Sequence, residues 1–108
     1  MTDQLLSEIV EAIVLAANPR RVVLFGSRAR GDAGPGSDVD LLIVEDLPFG
    51  PQRSRWDEIR KVRRALRSFR LPKDILVFSA EEVEKWRDTV NHVVATGLRE
   101  GRLLYERP

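Results

Sequence analysis

At 108 residues, 43% hydrophobic and with a formal net charge of +1, the chain suits one small globular domain, residues 1–108, with a thin core. That size argues against a deep pocket enclosed by this chain alone, and the charge argues against a molecule that binds polyanions by its overall field. Cysteine is absent, which excludes disulfides and thiolate metal sites. Asp3 and Glu8 interrupt the early apolar stretch, so no signal peptide is expected. No apolar run approaches the roughly 20 residues that span a bilayer, and a cytoplasmic protein is expected.

Leu5, Leu6, Ile9, Val10, Ile13, Val14 and Ala17 recur at helical spacing before the stop at Asn18-Pro19. Val22 to Phe25 is a short strand ending at Gly26. Asp38 to Val44 is a second strand with apolar side chains on both faces, so both are expected inside a sheet. Gln52 to Phe69 returns to helical spacing through Trp56, Ile59, Val62, Leu66 and Phe69. Asp74 to Phe78 is predicted as a third strand of interior type. Ser79 and Glu82 form a capping box that opens a helix carrying Val83 and Trp86. A last helix is expected from about Asp88 to Glu100, stopped by Gly101, with Arg102 to Glu106 as an edge strand. His92 reads as an ordinary residue of that helix. Helix and strand alternate throughout, so the expected fold is α+β, in two layers, with helices packed on a small mixed β-sheet.

The segment from Val23 to Asp46, VLFGSRARGDAGPGSDVDLLIVED, carries the chemistry. A strand followed by Gly26-Ser27 and a short helical turn can aim backbone amides at a phosphate. Two better-known phosphate motifs fail. Gly26 and Gly31 have P-loop spacing, but Asp32 stands where Lys is needed; Gly34 and Gly36 lead into a strand and not a helix, unlike the dinucleotide fingerprint.

Asp38 and Asp40, two apart on a strand, share one face while Val39 points away. Two like charges there favour a divalent cation, and oxygen-only ligands favour magnesium or manganese over zinc. If the strand that begins at Asp74 is the neighbour, three carboxylates converge at one sheet end. Such a cluster can hold two metal ions about 4 Å apart.

The string GSRARGDAGPGSDVDLLIV, with ten residues between Gly26-Ser27 and Asp38-Val39-Asp40, resembles the signature of the minimal nucleotidyltransferases of the DNA polymerase beta superfamily. The similarity extends through KDILVF to LREGRLLYER. The resemblance implies transfer of a nucleoside monophosphate from ATP or another NTP to a hydroxyl, with release of pyrophosphate. It implies that Gly26 and Ser27 hold the β- and γ-phosphates, with Arg28 and Arg30 steadying them. Asp38 and Asp40 would hold two Mg²⁺ (or Mn²⁺) ions, and Asp74 would be the third ligand, helping to deprotonate the acceptor. Larger relatives recognise the acceptor with a second domain, so here a surface or a partner is expected to do so. In prokaryotes the minimal family is commonly paired with a separate HEPN-domain protein, and several such pairs behave as toxin and antitoxin; the resemblance implies such a partner, with the transferase as the antitoxin that adenylylates a tyrosine on it.

Nine of the 18 basic residues fall between Pro51 and Asp74. On a helix, Arg53, Arg60, Arg64 and Arg67 would lie opposite the apolar stripe. Such a face suits an acidic partner or RNA phosphates, or is simply solvated; few exposed aromatics are available to stack bases. Beside the active transferase stand two alternatives, an NTP-binding or partner-binding module with negligible chemistry and an RNA-binding module using the arginines.

Overall fold

The computed structural model describes residues 3–31, 34, 38–90 and 92–108. Asp32 and Gly36, which entered the reading of the glycine loop, lie outside them. α1 (Asp3–Ala17) buries Leu6, Ile9 and Ile13, residues that helical spacing places on one side. After it come β1 (Arg21–Phe25), α2 (Ser27–Arg30), β2 (Val39–Glu45), α3 (Arg55–Ala65), β3 (Lys73–Ser79), α4 (Ala80–Trp86), α5 (Val93–Glu100) and β4 (Arg102–Glu106).

The strands form one mixed sheet in the order β3-β2-β1-β4. β1 is antiparallel to both β2 and β4, whereas β2 and β3 run parallel. α3 belongs to the long crossover that a parallel pair requires. Strand alternation separates two faces. Val22, Leu24, Leu41, Ile43, Ile75 and Val77 join the α1 residues and Val62 and Leu66 in the main core. On the other face Val44 meets Val83 and Val94, with Phe78 and Trp86 packed around them. The α+β expectation holds: α1 and α3 make one layer on the sheet, and α4 and α5 partly cover its second face. Among the described residues no helix is long and apolar enough to cross a membrane.

Several expected boundaries shift for identifiable reasons. The helix expected from Gln52 to Phe69 is shorter, because Ser54 caps it by accepting the Asp57 amide at 3.3 Å. Trp56, placed on its apolar stripe by spacing, is instead 67% exposed. Arg53 precedes the helix and is drawn to Glu45 and over the Phe49 ring, so it is not part of an exposed arginine face. Only the edge position of β3 departs from the expected interior strand. Its capping box is present as expected, with the Ser79 hydroxyl accepting the Glu82 amide at 3.1 Å and the Glu82 carboxylate accepting the Ser79 amide at 2.9 Å. The last helix begins at Val93 and not near Asp88. His92 is its N-cap rather than a residue within it; Nδ1 accepts the Val94 amide at 3.1 Å and the ring stacks on Trp86 at 4.6 Å.

At the C-terminal end of β2, Glu45 is buried beside Arg53 and Glu58. Burial, then the Glu58 carboxylate, push its carboxyl up from 4.5 to about 7 against the pull of Arg53. Burial also acts to raise Glu58, but hydrogen bonds with Glu45 and Lys61 outweigh it and hold that carboxyl below its usual range. Glu45 therefore keeps a proton in the folded chain that the unfolded chain releases above 4.5. Its contribution to stability is fully present below that pH and fades as pH rises through about 7. Urea unfolding across this window should show stability falling with pH, and Glu45→Gln, neutral throughout, should flatten that slope.

Candidate active site

The candidate site lies where β1 ends and β2 and β3 begin. Pairing aligns Phe25 with Asp40 and Asp40 with Asp74, so the two carboxylates stand on adjacent strands and on the same face. The Val39 amide donates to the Pro72 carbonyl at 2.9 Å, which holds this register at its first rung. Asp38 is exposed and lies one residue before β2. Every residue of β2 is buried except Asp40, which is half-buried.

Gly26 turns the chain out of β1 at φ 75°. A Cβ there would fall 2.2 Å from Asp40 Oδ2 and 3.2 Å from its Cγ, so only glycine lets the backbone lie against this carboxylate. Sequence spacing suggested Gly26 as a close approach to phosphate; its contact with Asp40 becomes visible only once β1 and β2 are paired. The Gly26 carbonyl accepts the Ala29 and Arg30 amides, both at 3.2 Å, and so starts α2. This puts Arg28 and Arg30 within electrostatic reach of Asp40. The Ser27 side chain lies outside what the structure describes.

Electrostatics tie the three acids together. Burial raises the Asp40 pKa above the ordinary carboxylate value, and Asp74 and then Asp38 raise it further, outweighing Arg28 and Arg30. Among the described residues no three His, Asp or Glu side chains are gathered into metal-holding geometry. The donor set nevertheless fits a hard divalent cation. It consists of carboxylate oxygens whose mutual repulsion raises a pKa, and a bound cation would relieve that repulsion.

Comparison with known proteins matches residues 5–104 to the family described as "Nucleotidyltransferase domain". The chain belongs to this nucleotidyltransferase family. A crystal structure of a "putative nucleotidyltransferase" from Sulfolobus solfataricus superposes with a TM-score of 0.65 at 28% identity, over 96% of this chain and 79% of that one. A toxin-antitoxin structure with AMP-PNP gives 0.55 at 17% identity, over 93% and 73% of the two chains. A mutant toxin-antitoxin MntA-HpeT structure gives 0.54 at 16%, over 99% and 74%. These two similarities concern the fold. In Methanocaldococcus jannaschii, a protein named "Putative protein adenylyltransferase MJ0604" is 53% identical over 30 residues, which span 28% of this chain and 30% of that protein.

Gly26 and Gly31 both adopt positive φ, at 75° and 82°, but a Cβ at Gly31 meets nothing within 4 Å. Gly31→Ala should therefore cost only the left-handed backbone term of about 1–2 kcal/mol. Gly26→Ala should cost measurably more in urea unfolding, because it also displaces the Asp40 carboxylate.

Proposed function

We propose that this chain is a Mg²⁺-dependent nucleotidyltransferase that moves AMP from ATP to a hydroxyl of a partner protein, acting in the cytoplasm as the antitoxin-like half of a HEPN pair. The observation that carries this proposal is the registered pair Asp40 and Asp74, joined by Asp38 in raising the Asp40 pKa and closed on one side by Gly26. Support for the nucleotide comes from the AMP-PNP in a neighbour of the same fold, and support for a toxin partner from the toxin-antitoxin neighbours. The protein acceptor draws on the short match to the M. jannaschii protein.

Asp38, Asp40 and Asp74 would hold the magnesium, two ions or a manganese substitute included. When bound, the metal supplies positive charge to the phosphates and lowers the cost of forming an alkoxide. The chain's own groups do the rest. Gly26 and the first amides of α2, at Ser27 and Arg28, face the triphosphate, and the Arg28 charge adds to them. The acceptor hydroxyl oxygen bonds to the α-phosphorus, its proton passing to the Asp74 carboxylate. The bond from the α-phosphorus to the bridging oxygen breaks, and its electron pair leaves with pyrophosphate. Fixed in-line placement of these atoms is the main contribution of the fold.

Label transfer from ATP, labelled at either the α- or the γ-phosphate, with Mg²⁺ and a lysate of the source cell tests this proposal. Transfer of α-label alone is expected, and Asp40→Asn or Asp74→Asn should reduce it at least about a hundredfold. Mg²⁺-dependent nucleotide binding without α-label transfer from any of the four NTPs would instead make the chain a nucleotide-binding module.

A further inference from the structure

Among the described residues β3 pairs with β2 alone, and its other side opens onto a groove shared with α3. The groove has a volume of about 320 Å³, and its walls include Trp56, Ile59 and Arg63 from α3 and Asp74, Ile75 and Val77 from β3. It therefore follows the β3 edge as far as Asp74, whose side chain, by strand alternation, lies on the Asp40 face of the sheet and not on the α3 face of Ile75 and Val77. Arg63 also borders a second concavity, with Arg64, Arg67, Leu71 and Lys73. The two concavities adjoin at Arg63, so the groove beside the exposed Trp56 leads on to a basic patch.

The basic residues of this region sort into two groups. Arg53 is paired with Glu45, Arg60 with Asp57, and Lys61 with Glu58 at 3.0 Å. Arg63, Arg64 and Arg67 are exposed, and among the described residues they form no ion pair. Their charge is therefore available to a ligand. The edge strand offers backbone groups as well. Pro72 turns its carbonyl to β2, so by strand alternation Lys73, Ile75 and Val77 turn theirs away from it. The Arg55 guanidinium donates to the Val77 carbonyl at 2.7 Å, which leaves the stretch around Ile75, next to Asp74, as the open part of the edge.

We infer that this groove docks the acceptor as an extended, acidic polypeptide segment carrying a hydroxyl side chain. Its apolar residues lie against Trp56 and Ile59, its backbone runs beside Ile75, its hydroxyl reaches Asp74, and its acidic residues meet Arg63, Arg64 and Arg67. The groove from Phe78 to Asp74 accommodates about four extended residues at ~3.3 Å each. Charge complementarity selects the acidic sequence, and the edge backbone selects a polypeptide over RNA, for which one exposed tryptophan is a poor stacking surface. This inference rests on the transferase proposal for its hydroxyl acceptor, but docking itself makes and breaks no covalent bond.

The test uses the full chain with a poly(Glu,Tyr) copolymer as probe, and poly(Lys,Tyr) and poly(U) as counter-probes. Binding is read by calorimetry and transfer by α-label from ATP. Wild type should bind poly(Glu,Tyr) and not poly(Lys,Tyr). The combined Arg63→Glu/Arg64→Glu/Arg67→Glu variant should weaken binding roughly tenfold or more. Trp56→Ala, at an exposed position and so safe for folding, should weaken it severalfold, with Mg-ATP affinity unchanged in both variants. Equal binding by wild type and both variants would overturn the docking site, as would tighter binding of poly(U) that the arginine variant abolishes. If binding follows the expectation while no α-label moves to any acceptor, the transferase proposal fails and the docking surface stands. If α-label transfer proceeds at the same rate in the groove variants, the docking surface fails and the transferase stands.

Discussion

The parallel register of β2 with β3 is the constraint on which the rest depends. It sets Asp40 beside Asp74, and it requires a crossover long enough to carry α3 back across the sheet. Val62 and Leu66 then bury that helix in the main core. The Lys73 ammonium donates to the Phe69 and Leu71 carbonyls at 2.8 and 3.1 Å, so the return into β3 is tied down one residue before Asp74. Nothing in the packing of the core requires acids at this rung. Apolar residues would pair there without repulsion, and a local conflict tolerated inside a consistent fold is where function is to be sought.

At both ends of the sheet one carboxyl is pushed up against nearby arginines, Glu45 at one and Asp40 at the other, but the ends differ in what pairs their remaining acids. At the end where β2 finishes, acids have cations at hand. Asp46 is held by Arg20 at 2.8 Å and by Arg107, Glu45 by Arg53, and Glu58 by Lys61. At the end where β2 starts, burial and neighbouring acids prevail over Arg28 and Arg30 at Asp40. The first end is knitted together by the protein itself, and the second has an excess of negative charge for a cation to balance.

Much of this was legible in sequence, because the elements involved are strongly patterned. The period of α1, the apolar run of β2 and the capping box at Ser79 each have a local cause, and each appears where expected. The alignment of Asp40 with Asp74 was legible too, conditional on one strand pairing, whereas Asp38, expected as the first residue of the strand, lies one residue before it. What escaped depended on side-chain contacts and sheet order that periodicity does not reveal. The position of β3 at the edge is a property of the whole sheet. Trp56 turns outward because the core beneath α3 is filled by Val62 and Leu66, with Ile59 packed against it. Arg53 has helical spacing with Arg60, but a buried glutamate eight residues before it draws it away. His92 looked like helix because nothing local shows that its ring nitrogen accepts an amide and its face stacks on Trp86.

The two margins of the sheet are also unlike each other. Along β4 the pairing slips between Val22 and Val23, where the partner changes from Tyr105 to Leu103 and Leu104 is left over. Such a bulge increases twist and interrupts the even spacing of hydrogen-bonding groups. A foreign strand approaching β4 meets a broken ladder, which natural sheets use as protection against edge-to-edge aggregation. β3 keeps unbroken register with its neighbour from Lys73 to Ser79. The molecule is thus blunted on one margin and regular on the other, so growth of the sheet by a further strand has a preferred direction, toward the side that carries Asp74.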